Sequence, residues 1–125
     1  MKSKELMLED LMQVNGEVFK VISISYFDIG ISDNKKDFYH EHIDNLEPIP
    51  LTSEILEKNE FYYENNVGYV LEYYNYEIIY DMWENELRIL KDREQILKIK
   101  TFDKMCVHEL QHALRLCGIN KEIEI

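Results

Sequence analysis

The stretch from Phe61 to Ile99 limits the fold most. Its runs FYYENN, YVLEYYNYEIIYDMW, ENELRILK and QILKIK are rich in aromatic and β-branched residues and are broken by asparagine, glycine and acidic turn candidates. Such side chains fit a pleated surface, and short runs joined by tight turns lie side by side. An antiparallel meander of three or four strands is therefore expected over 61–100. Seven of the nine tyrosines fall there: Tyr62, Tyr63, Tyr69, Tyr73, Tyr74, Tyr76 and Tyr80.

Upstream, LMQVNGEVFKVISISYF sets Asn15-Gly16, the preferred pair of a type I′ turn, between two β-rich runs. Residues 1–50 are thus expected to form a small curled sheet or barrel-like hairpin region. Val18, Ile22 and Ile24 fall on one side of the second run and Phe19 and Val21 on the other, so both faces have something to cover. A further turn is expected at Asp33-Asn34. Pro48 and Pro50 enforce extended backbone ahead of a short helix at 51–60. Thr52 is its N-cap, Leu51 and Leu56 form a hydrophobic staple, Glu54 lies near the positive end, and Asn59 stops it.

The last helix is expected over 103–117, from Asp103 as N-cap to Cys117, with Gly118 just beyond. Cys106, Val107, Leu110, Ala113, Leu114 and Cys117 gather on one side, an amphipathic stripe for packing on the sheet. KEIEI is expected to add an edge strand. The chain reads as one α+β domain, 1–125, a usual size for a single core.

Composition narrows the function. The net charge is −11, and between Asp37 and Leu87 thirteen acids face one base, Lys58. A nucleic-acid backbone would be repelled there, whereas a basic protein surface would be attracted. No apolar run reaches the roughly 18 residues of a membrane span, and the start has no apolar signal core. A cytoplasmic protein is expected. Cys106 and Cys117, on one helix about 16 Å apart, cannot join in a disulfide and read as small buried groups.

VHELQHAL carries His108-Glu109-Leu110-Gln111-His112, the H-E-x-x-H pattern in which two histidines one turn apart hold zinc and the glutamate serves as base. A third protein ligand is also required, and no histidine follows His112. On the helical wheel His108 and His112 point away from the apolar stripe, into a polar face with Lys104 and Arg115 within a turn. A divalent cation would meet fixed positive charge there. The histidines are read as solvent-facing and the chain as non-enzymatic, without cofactor. A zinc hydrolase using His108, His112 and Glu109 stands as the alternative.

The order of LEDLMQVNGEVFKVISI, LEPIPLTSEILEKNEF and VHELQHALRLCGINKEIEI resembles a group of small proteins carried by phages and mobile elements of Bacteroidetes, in which a PIPLTEEIL segment precedes a terminal VHxLQN helix. The resemblance is specific at Pro48-Ile49-Pro50-Leu51-Thr52 and Val107-His108-Glu109-Leu110-Gln111, and His112 stands where that pattern has Asn. Some members look like anti-CRISPR proteins, so the resemblance implies a phage accessory protein acting in the cytoplasm of an infected or lysogenic host. The expected partner is a basic host protein, an RNA-guided CRISPR effector with or without its guide RNA. An acidic, tyrosine-rich surface can dock on its nucleic-acid channels. The residues expected at that contact are Glu64, Tyr69, Glu72, Tyr73, Tyr74, Tyr76, Glu77, Tyr80, Asp81 and Glu84. A structural or regulatory phage protein, homodimeric through a strand edge, is a third reading.

Overall fold

The computed structural model describes residues 6–25, 28–33 and 35–125. Strands dominate, in two antiparallel five-stranded sheets with few helices, an α+β arrangement. Backbone contacts group the chain into two compact units, one holding the residues through Ile49 with Cys106–His112, the other Pro50–Met105 with Ala113–Ile125.

In the first unit β1 (Leu11–Val14), β2 (Glu17–Ile24), β3 (Ile29–Ser32), β4 (Phe38–Glu41) and β5 (Glu47–Pro48) lie in the order β4-β3-β2-β1-β5. The expected hairpin is present: Val14 pairs with Glu17, and Asn15 and Gly16 have φ of 51° and 81°, the left-handed pair that a type I′ turn requires. Met12, Phe19, Val21, Ile29 and Ile31 bury one face of the sheet with Leu6 and Leu46.

The other face departs from expectation. A bulge between Val21 and Ser23 puts Ile22 and Ser23 together opposite Gly30 and moves Ile24 into register with core-facing Ile29. Ile24 therefore leaves the side of Val18 and Ile22, and Ile22 remains 39% exposed. Ile24 is itself 38% exposed, so the covered face of this strand ends at Val21. Of the expected Asp33-Asn34 turn, Asn34 lies outside the described residues; Asp33 accepts hydrogen bonds from the Lys35 and Asp37 N–H groups, both at 2.9 Å.

The second unit opens with α1 (Ser53–Lys58), where Thr52 Oγ1 accepts from Ile55 N at 3.2 Å and the Leu51–Leu56 staple is buried. A sheet follows in which β6 (Tyr62–Glu64), β7 (Gly68–Tyr73), β8 (Tyr76–Asp81), β9 (Glu86–Lys91) and β10 (Glu94–Lys100) run as an uninterrupted meander. Five strands replace the three or four expected, because YVLEYYNYEIIY folds back on itself at Tyr74-Asn75, with Tyr74 at φ 54°. The edge strand β10 carries a bulge and the bases Lys98 and Lys100, devices that discourage further pairing.

Helix α2 spans Val107–Leu116 rather than 103–117. Its cap is not Asp103: Glu109 Oε1 accepts from Cys106 N at 2.9 Å, so Cys106 holds the N-cap place of a capping box. Val107, Leu110, Ala113 and Leu114 are buried as the stripe predicts, while Cys106 and Cys117 are only half-buried. KEIEI adds no strand. Instead the side-chain amide of buried Asn59 donates to Glu124 O and accepts from Glu124 N, each at 2.7 Å, as a strand neighbour would, and Ile119 and Ile123 are buried.

Candidate functional site

The histidines of α2 do not face solvent, and this corrects the wheel reading. His108 is 7% exposed, and its ring meets that of His112 edge-on at 5.5 Å. His112 Nε2 lies 2.9 Å from both oxygens of Asp10, a fully buried carboxylate that also accepts from Met7 N at 2.8 Å. Next to it Gln111 Oε1 accepts from Leu11 N at 3.3 Å. The polar side of the helix is therefore built into the first unit by the segment before β1.

Glu109, the base a zincin needs, is committed to the Cys106 N–H. Among the described residues no group of three or more His, Cys, Asp or Glu gathers as a metal site. Burial, followed by the charge and hydrogen bond of Glu109, pushes the Cys106 thiol up to about 11, so it is not an activated nucleophile. The contacts of this cluster cap the helix and tie it to Asp10 and Leu11.

The expected contact residues sort onto two faces of the second sheet. Register puts Tyr69, Tyr73, Tyr76 and Tyr80 on the side of Leu71, Ile78, Leu87 and Ile89. Tyr80 is fully buried and its hydroxyl accepts from Met105 N at 3.3 Å, so it belongs to the core and cannot contact a partner. Tyr76 donates to Cys117 O at 3.2 Å. Glu72, Glu77 and Asp81 occupy the opposite side with Tyr62, Glu86, Arg88 and Lys98. Tyr74, 88% exposed, stands at the β7–β8 turn, Glu84 in the β8–β9 turn and Glu64 at the end of β6.

What the structure brings together is a carboxylate pair. Glu72 and Glu77 lie directly across from each other on β7 and β8, at a Cβ separation of about 5 Å, an arrangement of like charges that opposes strand pairing. Tyr62 donates to Glu72 Oε1 at 3.1 Å. Its phenol is held above the ordinary tyrosine range by partial desolvation, then by that hydrogen bond and the charges of Glu72, Glu64 and Glu77. Strands β6, β7 and β8 contain no lysine or arginine. Among the described residues, ion pairs of this face lie on the far strands, where Glu86 meets Arg88 and Lys98 at 3.7 and 3.8 Å, and at the turn, where Glu84 meets Lys100 at 3.3 Å. One half of this face is acidic and the other is neutralised.

Two residues of this region are missing from the expected contact residues. Tyr62 joins the acidic half only because it pairs with Val70, a register that no single run discloses. Trp83, 89% exposed, is held on its turn by Asp81 Oδ1, which accepts from Trp83 N at 2.9 Å and Glu84 N at 3.3 Å. The chain's single tryptophan, in a turn bounded by Asp81 and Glu86, marks this position in the sequence. Comparison with known protein families, curated proteins and solved structures found no match for the chain.

Proposed function

We propose that this chain is a non-enzymatic binding protein, encoded by a phage, that lays the acidic half of its second sheet on a basic surface of a host RNA-guided CRISPR effector nuclease. The observation that carries the reading is the Glu72–Glu77 pair, side by side on strands without a base, with Glu72 exposed and Glu77 half-buried. Folding works against this repulsion, and a cationic partner would relieve it. Tyr62 and Tyr74 flank the pair with amphipathic rings of the kind that anchor interfaces. The resemblance to Bacteroidetes phage proteins supports the choice of partner and the cytoplasm of an infected host as the place. The first sheet, with a barrel-like curl, would act as support.

The test is binding of the purified chain to effectors of several CRISPR types, with and without guide RNA, at low and moderate salt. A stoichiometric complex with one effector is expected, and E72K/E77K should weaken it at least tenfold, mainly by slower association. Glu72→Lys alone turns a like-charge pair into an opposite one and should stabilise the fold by about 0.2–1 kcal/mol while weakening the complex. Unaltered affinity in the double reversal, or no complex across the panel, would refute the proposal.

A further inference from the structure

The outward face of the first sheet holds a groove of about 380 Å³, lined by Leu11, Val18, Phe19, Lys20, Ile22, Ser32, Asp33, Lys36 and Phe38. Register explains its composition. Leu11, Lys20, Ser32 and Phe38 form one row across β1, β2, β3 and β4, with Val18 and the bulged Ile22 beside it. Phe38 is 71% exposed, so apolar surface stays in water along this row.

The charge of the groove is opposite to that of the chain. Lys20 and Lys36 enter no ion pair among the described residues. The one acid, Asp33, is committed to its own loop: Oδ1 accepts from the Lys35 and Asp37 N–H groups, and Oδ2 from Tyr39 at 3.3 Å. Lys36 sits on that loop at φ 62°, a left-handed position that a lysine adopts only when its surroundings fix it. Lys36 N also donates to Asp33 O at 3.1 Å, which fixes the Lys36 backbone at the rim.

We infer that this groove binds a small single-chain amphiphile with an anionic head, a fatty-acid-like carboxylate, its tail along Leu11, Val18, Ile22 and Phe38 and its head between Lys20 and Lys36. The apolar wall disfavours a fully hydrated anion, and the two ammonium groups favour an anionic head over a neutral or cationic one. The row from Leu11 to Phe38 covers three strand spacings, roughly 14 Å, which bounds an occupant at about ten carbons, and Lys20 and Ser32 interrupt its apolar wall.

Calorimetric titration with decanoate, decanol and decyltrimethylammonium tests the assignment, with amide chemical shifts locating the site. Decanoate is expected to saturate at one per chain, decanol to bind about tenfold more weakly, and the cation not to bind. K20M/K36M should lose about tenfold for decanoate and nothing for decanol, and Phe38→Ser should weaken both. Shifts should centre on Val18, Ile22 and Phe38, and melting curves will confirm that the variants fold. The inference is overturned by absence of saturable decanoate binding, by equal binding in K20M/K36M, by shifts centred elsewhere, or by light scattering that shows a dimer closing the groove.

Discussion

At the scale of single residues, the surroundings of Cys106 decide its chemistry. Burial disfavours a thiolate, and the Glu109 carboxylate, one helical turn along, adds repulsion and a hydrogen bond to the thiol, so the group titrates near 11. At pH 8 the thiolate fraction is then about a hundredfold below that of a thiol with an ordinary pKa near 8.5–9. Iodoacetamide should label Cys106 far more slowly in the native chain than in urea, with the native rate climbing as pH passes 10; mass spectrometry separates it from Cys117. The linkage has a definite sign. A pKa raised on folding contributes stability below the unfolded value of about 8.5, and that contribution fades as pH rises toward 11. Cys106→Ala should therefore flatten the fall of the melting temperature over that window, and equal labelling of native and unfolded chains would contradict the account.

At the scale of elements, much that depends on neighbouring chemistry was readable, although the Cys106–Glu109 capping box was taken for a cap at Asp103. Asn15-Gly16 makes its hairpin, Thr52 caps α1, and the buried stripe of α2 follows its periodicity. What depends on distant partners was not. The wheel puts His108 and His112 on a polar side, and nothing near them in sequence tells that Asp10 waits there with a buried carboxylate. Tyr74 hides a turn because tyrosine rarely takes positive φ, and the sheet face of each tyrosine follows only from that turn. The acidic residues of the candidate site were legible as a charge excess, but not their gathering on the face opposite Tyr69, Tyr73, Tyr76 and Tyr80. Gly68 is a further instance. It opens β7 at φ 122°, and a Cβ there would stand 2.5 Å from Tyr80 O on the neighbouring strand. Gly68→Ala combines backbone strain with a backbone clash and should cost roughly 2–4 kcal/mol, measured by urea unfolding. A loss below about 0.5 kcal/mol would mean that β7 and β8 are not packed this closely.

At the scale of the whole molecule, the net charge of −11 acts on folding and on the proposed binding with opposite signs. Repulsion among the acids works against the compact chain, whereas attraction between the acidic half-face and a cationic partner favours the complex. Salt weakens both, since the screening length falls from about 30 Å at 0.01 M to about 8 Å at 0.15 M. Over that range the melting temperature of the free chain should rise by a few degrees, while association with the effector slows by about tenfold or more. Each reversal in E72K/E77K adds two charges, taking the chain from −11 to −7, so both salt responses should shrink together. Scanning fluorimetry and stopped-flow association on the same samples measure the two. A melting temperature that falls with salt would show that local ion pairs such as Glu84–Lys100 and Glu86–Lys98 outweigh the global repulsion. Association that ignores salt, in a chain that salt stabilises, would mean that the partner meets a face other than the acidic one.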